Sequence, residues 1–173
     1  DRKGGVWMAF NGRTVTRIVG NEVFTFSPSD GLPGGNLCQL ATDASDHVWL
    51  VSGGKAGVFE GGKFQSIMPV ADPSCIAPAR HEGLWICSGP KVLHLGSDGK
   101  STILGEIVLP GIKPTPTAVL EDRFGSVWVG TSDAGLYRFD GVAWQDTKGQ
   151  GEFWGQLSRD ASRQYGKNLQ FSP

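Results

Sequence analysis

The sequence predicts an all-β chain made of β-propeller blades, and three observations carry that prediction. A phrase ending in Val-Trp or Leu-Trp occurs four times, with its tryptophans 42, 36 and 43 residues apart. Gly, Asn and Asp close the short apolar runs, which is typical of strands joined by tight turns. No segment shows a convincing helical period of apolar residues. A repeat of about forty residues built from short strands is the signature of a propeller.

The four phrases share an acidic position as well as a tryptophan. They are DRKGGVW, DASDHVW, ARHEGLW and DRFGSVW, which end in Trp7, Trp49, Trp85 and Trp128. The residues six positions earlier are Asp1, Asp43, Ala79 and Asp122. An Asp at such a place can cap a turn by accepting backbone N–H bonds, and a Gly such as Gly125 can adopt a positive φ. We therefore assign Asp43, Asp122, Gly125 and the four tryptophans structural roles, with the tryptophans buried between blades.

One domain of four repeat units is expected, each unit forming four antiparallel strands. The units span about 1–29, 30–68, 69–109 and 110–147. Their second strands, such as VWLVS, are almost continuously apolar, which indicates that neighbouring blades cover both faces of each sheet. The first unit begins directly at its turn and so lacks the innermost strand that precedes the turn in the other units.

A second partial repeat suggests how the array closes. QLSRDAS at 156–162 resembles QLATDAS at 39–45, which is an innermost strand followed by a turn. We predict that Phe153–Arg159 is a closing strand that completes the blade begun by Val6–Phe10, because open sheet edges favour aggregation. The pairing could be made within one chain or with a neighbouring copy, so a homo-oligomer is one expected arrangement.

Composition argues against several partners. The formal net charge is −1 and the Lys and Arg residues are scattered, which predicts no nucleic-acid binding. No apolar run is long enough for membrane insertion by this segment. The cysteines, Cys38, Cys75 and Cys87, are expected to be buried free thiols. A hairpin centred near His81 would place Cys75 opposite Cys87, so a disulfide between them remains an open alternative.

Motifs for catalysis, metals or cofactors are missing from the sequence. His47, His81 and His94 occur singly, without the spacing of a metal site, and no GxSxG nucleophile motif is present. The sequence GSDGKS fits a hairpin turn at Asp98-Gly99 better than a phosphate loop. We therefore expect no cofactor, no metal and no enzymatic activity in this chain.

The third turn is the predicted ligand-binding site. Arg80, His81 and Glu82 occupy the one turn that lacks the leading Asp of the Asp-x-x-Gly pattern of the repeat. Ligands of propellers usually contact the loops at one end of the central channel. The predicted partner is a small molecule, a glycan or another protein domain.

Two stretches resemble a known repeat family. They are EDRFGSVWVGTSDAGLYRFDG at 121–141 and DGLPGGNLCQLATD at 30–43, and both are similar to the two-component regulator propeller repeat. The resemblance extends over residues 1–147 and is weakest in the third unit, where ARHEG replaces the acidic motif. It implies a sensor region of a bacterial histidine kinase or hybrid sensor, located outside the cytoplasm, in the periplasm, where it recognises a ligand.

Two other function classes remain open. The first is a propeller enzyme similar to virginiamycin B lyase, which requires a histidine and a carboxylate converging on the channel. The second is a sugar-binding, lectin-like propeller, in which tryptophans would be exposed platforms. The positions of the three histidines and the burial of the tryptophans discriminate between these classes.

Overall fold

The chain is built almost entirely from strands. The computed structural model describes residues 1–10, 14–35, 38–107, 113–132, 134–139 and 144–147. Within these residues, fifteen strands form four antiparallel sheets, and helix is limited to one 3-10 turn at Pro28–Asp30. None of the described residues belongs to a helix with the length and hydropathy needed to cross a membrane. The predicted all-β fold of propeller blades is confirmed.

The strands of each sheet follow one another along the chain. The first sheet contains β1 (Val6–Phe10), β2 (Thr14–Val19) and β3 (Glu22–Phe26). The second contains β4 (Cys38–Thr42), β5 (Val48–Ser52), β6 (Lys55–Glu60) and β7 (Lys63–Pro69). The third contains β8 (Pro73–Pro78), β9 (Leu84–Ser88), β10 (Lys91–Leu95) and β11 (Ser101–Glu106). The fourth contains β12 (Pro116–Glu121), β13 (Val127–Thr131), β14 (Gly135–Phe139) and β15 (Trp144–Asp146).

Among the described residues, the first sheet has one strand fewer than each of the others. Within the described residues β1 pairs with β2 alone, whereas β5, β9 and β13 each pair on both sides. Among the described residues the first sheet therefore has no strand equivalent to β4, β8 and β12. The predicted closing strand, Phe153–Arg159, lies outside the described residues and stays a prediction.

Apolar side chains form one core at each junction between consecutive sheets. Val15, Phe26, Leu50 and Phe64 pack between the first and second sheets, with Leu32 from the connection that joins them. The core between the second and third sheets contains Trp49, Val51, Val58, Leu84, Ile86 and Leu95. The core between the third and fourth contains Cys75, Cys87, Val92, Val119, Val129 and Tyr137. Each sheet is thus stabilised by the one that follows it, as expected for stacked blades.

The second strand of the second sheet shows why these strands are continuously apolar. All five residues of β5 are buried. Leu50 faces the first sheet, while Trp49 and Val51 face the third, because successive side chains of a strand point to opposite faces. Burying either face stabilises the folded state by roughly 1.5–3 kcal/mol per large side chain.

Candidate functional site

Four equivalent turns lie at one end of the sheets, and we call them together the turn face. They comprise residues 1–5, 43–47, 79–83 and 122–126, and each leads into the strand that carries the repeat tryptophan. We number them as the first to fourth turns. Since the sheets stack in chain order, consecutive turns are neighbours and can contact one another.

In the second turn, a single carboxylate organises both the backbone and the tryptophan. Asp43 Oδ1 accepts hydrogen bonds from the backbone N–H groups of Ser45 and His47, both at 2.9 Å. Its Oδ2 accepts the indole N–H of Trp49 at 2.9 Å. The cap on the turn was predicted from the sequence, but the bond to the indole was not. The constant spacing of six residues was the signal for it, because it brings the carboxylate to the indole of the following strand.

The first and fourth turns repeat this arrangement. Asp1 Oδ2 lies 2.8 Å from Trp7 Nε1, and Asp122 Oδ2 lies 2.7 Å from Trp128 Nε1. Gly125 has a φ of 85°, and Asp46 takes the same left-handed conformation in the second turn with a φ of 69°. The predicted roles of Asp122 and Gly125 in the turn are therefore seen in the structure.

The third turn has Ala79 at the acidic position and takes its carboxylate from the next sheet. Glu121, the last residue of β12, accepts the indole N–H of Trp85 at Oε2 over 2.7 Å. The same oxygen accepts the backbone N–H of Arg80 at 3.0 Å, and the Arg80 guanidinium donates to the carbonyl of Asp122 at 3.3 Å. A carboxylate therefore bonds every repeat indole, but in the third unit it comes from a neighbour.

Hydrogen bonds join the turns in series. The backbone N–H of Arg2 donates to Asp46 Oδ1 at 2.7 Å, which links the first turn to the second. The N–H of Gly83 donates to Asp43 Oδ2 at 3.0 Å, which links the second to the third. Glu121 completes the series by linking the third turn to the fourth sheet. A Cβ on Gly83 would lie 2.3 Å from the carbonyl oxygen of Leu95, so this position requires glycine.

The Asp43 carboxylate is a buried and ionised group. Burial alone would raise its pKa, but hydrogen bonds from the Trp49 indole, the Gly83 and His47 amides and the His47 ring outweigh burial and lower it. Asp43 Oδ2 also lies 3.0 Å from His47 Nδ1. The carboxylate of Asp43 is thus a fixed negative charge next to Nδ1 of His47, and it orients the imidazole. The side chain of His47 is 40% exposed.

The predicted site residues lie exposed on the third turn. Arg80, His81 and Glu82 are all accessible to solvent. The carbonyl of Glu82 is 2.9 Å from His94 Nε2, and the Glu82 carboxylate accepts the hydroxyl of Ser97. The side chain of His94 packs on Trp85, with ring centroids 4.9 Å apart.

Sequence reasoning missed that His47 belongs beside the third turn. Its Nδ1 and the N–H of Gly83 contact the same oxygen of Asp43. His47 and Gly83, which are far apart in the sequence, thus both bond to the carboxylate of Asp43. His94 contacts the backbone of the same turn through the Glu82 carbonyl, and His81 lies on the turn itself.

The repeat tryptophans are core residues. Trp49 is 0% exposed and Trp128 6%, while Trp7 and Trp85 are partly buried. The guanidinium groups of Arg17 and Arg138 cover the rings of Trp7 and Trp128, each 5.4 Å from the ring centroid. The predicted burial is confirmed for Trp49 and Trp128, which therefore do not offer surface platforms for sugar rings.

Other candidate sites are few among the described residues. No group of three or more His, Cys, Asp and Glu side chains in this part of the chain could hold a metal ion. A shallow pocket between the first two sheets is lined by Phe10, Leu32 and Leu50. It lies at the end of β1 and β5 opposite the turn face.

Solved structures similar to this chain have propeller-like folds. No protein-family model matches the chain. A streptogramin B lyase is similar over 83% of this chain and 50% of its own, with a TM-score of 0.65 and 16% identity. The extracellular domain described as part of a hybrid two-component system from B. thetaiotaomicron is similar over 82% of this chain and 20% of its own, with a TM-score of 0.65 and 16% identity. YCF48 bound to a D1 peptide gives a TM-score of 0.57 at 17% identity, over 83% of this chain and 50% of its own. These similarities establish the fold.

The curated sequence relatives match only part of this chain. An iron-sulfur cluster assembly protein CyaY from Verminephrobacter eiseniae is 50% identical over 54 residues, which is 31% of this chain and 50% of the relative. CyaY from Paracidovorax citrulli is 46% identical over 54 residues, covering 31% of this chain and 49% of the relative. This chain thus spans about half the length of the curated relatives that it matches. The shared segment is longer than one repeat.

Proposed function

We propose that the chain is a non-catalytic recognition module of a bacterial signal-transduction sensor, located outside the cytoplasm, and that its third turn contacts the ligand. One observation carries the proposal. Because Glu121 supplies the carboxylate that the third turn lacks, the exposed Arg80, His81 and Glu82 are not needed to hold the Trp85 indole. The similarity to the extracellular domain of a hybrid two-component system supports the same function class.

The chemistry of the third turn favours a polar ligand. A guanidinium, an imidazole and a carboxylate follow one another on the turn, and the Gly83 amide at its end shares the Asp43 carboxylate with the His47 ring. These groups offer charged and neutral donors together with acceptors. A small polar molecule or a glycan that presents several hydroxyl or carboxylate groups would satisfy them.

A binding screen tests this proposal. A panel of monosaccharides, oligosaccharides, amino acids and dicarboxylates is added to the full chain, and Tm is measured for each compound. A ligand at saturating concentration should raise Tm for the wild type but not for the triple variant R80A/H81A/E82A. Lys3→Ala is the matched control, since Lys3 holds the equivalent position of the first turn to His81.

The outcomes show whether a ligand binds at the third turn or elsewhere on the chain. A compound that stabilises the wild type and the triple variant equally places the ligand elsewhere and overturns the role of the third turn. A compound that stabilises neither the triple variant nor Lys3→Ala points to an effect of the substitutions on folding. The Tm of each variant without ligand would reveal such an effect.

A second candidate is a lyase, and the pair formed by His47 and Asp43 favours it. A histidine held through Nδ1 by a buried carboxylate can take up a proton at its other ring nitrogen, as a general base does. The test is to incubate the chain with a streptogramin B antibiotic and follow its loss by chromatography. Turnover that disappears in His47→Ala and persists in Lys3→Ala supports a lyase, and no loss with the wild type rejects this substrate.

A third candidate is a role in iron-sulfur cluster assembly, favoured by the 54 residues shared with CyaY. Fewer residues than that follow Thr147, so part of the shared segment falls within the stretch that forms the four sheets. Anaerobic titration of the full chain with ferrous iron, followed by calorimetry, tests it. Saturable binding that a chelator reverses supports this candidate, and heat no larger than that of the buffer rejects it.

A further inference from the structure

Two thiols meet on neighbouring strands of the third sheet. Cys75 on β8 and Cys87 on β9 are directly opposed in the antiparallel register. Both are buried, at 6% and 0% exposure, and both belong to the core between the third and fourth sheets. Both are free thiols in the structure.

Their placement meets the requirements of a cross-strand link. Directly opposed residues of an antiparallel pair have Cα atoms about 4.5–5.5 Å apart, within the roughly 4.4–6.8 Å that a disulfide spans. Since both side chains pack into the same core, they point to the same face of the sheet. Interaction between the two thiols lowers the pKa of Cys75 and raises that of Cys87. The register thus places the two residues at a separation that a disulfide can span.

We propose that Cys75 and Cys87 form an oxidisable pair whose disulfide closes the hairpin that carries the third turn. β8 is an edge strand of its sheet. An edge strand can open locally more readily than a central one, which admits an oxidant to Cys75. The modification does not depend on which ligand, if any, the third turn binds.

The two thiols take different parts in the oxidation. The interaction with Cys87 lowers the pKa of Cys75, whereas the same interaction and burial raise the pKa of Cys87. Cys75 is therefore the thiolate that attacks. With a small disulfide such as oxidised glutathione, Cys75 loses its proton and forms a mixed disulfide, releasing one glutathione. Cys87 then loses its proton, attacks the Cys75 sulfur and releases the second glutathione, so that two thiols are oxidised and one small disulfide is reduced.

The link would restrain the third turn directly. Arg80, His81 and Glu82 lie inside the short loop that the disulfide closes. A cross-link that closes such a loop reduces the conformations open to the unfolded chain and to the locally opened hairpin. The redox state of the pair thus controls the mobility of the third turn.

Peptide mapping of the oxidised chain tests the proposal. The full wild-type chain is incubated with a glutathione redox buffer under native conditions, its remaining thiols are alkylated, and its peptides are identified by mass spectrometry. We expect a peptide linked through Cys75 and Cys87 and an alkylated Cys38. The variant Cys38→Ser should form the same link, while Cys87→Ser should form none and should retain glutathione on Cys75.

Two measurements extend the test to the turn. Oxidised Cys38→Ser should show Tm raised by several degrees over the reduced form, as a short closed loop predicts. Hydrogen exchange of the amides at 80–83 should slow several-fold, and that of the first turn should not change. Alkylation of both Cys75 and Cys87 in the natively folded, oxidised wild type would overturn the proposal, as would a link from either of them to Cys38. The wild-type mapping gives this answer even where a variant fails to fold.

Discussion

The second and third turns hold their tryptophans by the same bond but obtain the carboxylate differently. Asp43 lies in the second turn itself and is fixed by five hydrogen bonds, one of which comes from the third turn. Trp85 depends on Glu121, a residue of the next sheet. The second turn therefore supplies the carboxylate for its own tryptophan, whereas the third obtains one only when the fourth sheet is packed against it.

This difference explains how a repeat can lose its consensus residue without losing its fold. A buried indole N–H without an acceptor costs about 1–3 kcal/mol, so the loss of Asp at position 79 requires a substitute. Glu121 provides one because its longer side chain reaches across the junction between sheets. The cost is that the third blade becomes coupled to its neighbour.

The largest expected difference between the two turns is in the tryptophans themselves. Trp49→Ala should lower the free energy of unfolding by about 3–5 kcal/mol, because it removes a fully buried ring from the core between two sheets. Trp85→Ala should cost less, since Trp85 is partly exposed. Urea unfolding followed by circular dichroism measures both. Equal losses would mean that the two junctions are packed equally well.

The next effect is expected at the carboxylate of the second turn. Asp43→Ala should cost about 2–4 kcal/mol, because it leaves the Trp49 indole and the Gly83 amide without acceptors in a buried place. Asp46→Asn is the control, because Asn tolerates the left-handed conformation of Asp46 and can still accept the exposed bond from Arg2, so it should cost under about 1 kcal/mol. Equal urea midpoints for the two variants would contradict the central role of Asp43.

A smaller effect on stability is expected at Glu121, which supplies the carboxylate to the third turn. Glu121→Ala should cost about 1–3 kcal/mol, because the Trp85 indole and the Arg80 amide lose their acceptor. Adding Ala79→Asp to this variant should recover at least half of the loss by placing a carboxylate six residues before Trp85, as in the other turns. The double-mutant cycle is measured by urea unfolding. If Ala79→Asp destabilises Glu121→Ala further, the third turn cannot hold an Asp in the geometry of the second.

Most of the fold could be predicted from the sequence because its signals are local and repeated. Turn residues and apolar runs such as Val48–Ser52 predicted the strands, and the spacing of the tryptophans predicted the blades. The direct pairing of Cys75 with Cys87 also followed from a hairpin centred near His81, and the register confirms it.

The candidate site could be predicted only in part. Arg80, His81 and Glu82 were singled out because they break the repeat, and this choice stays a prediction. The substitution of Glu121 for the missing Asp and the approach of His47 to the third turn depend on contacts between sheets. Since each sheet of a propeller is formed by local pairing but stacked by tertiary packing, no pattern within one repeat contains that information.

The smallest effect concerns the pH dependence of the second turn. The folded pKa of Asp43 is lowered, since its hydrogen bonds outweigh the effect of burial, so its contribution is fully present above the pKa of an unfolded carboxyl. That contribution is lost as the pH falls below about 4 towards the lowered folded pKa, because the native carboxylate must then be protonated. Asp43→Asn should therefore flatten the fall in stability below this pH, measured by urea unfolding at a series of pH values. Asp98, whose pKa is lowered by its exposed pair with Lys100, is the control: Asp98→Asn should alter the curve only at low salt, because added salt screens an exposed pair but not the buried bonds of Asp43. An unchanged acid limb in Asp43→Asn would show that the second turn does not depend on the ionised carboxylate.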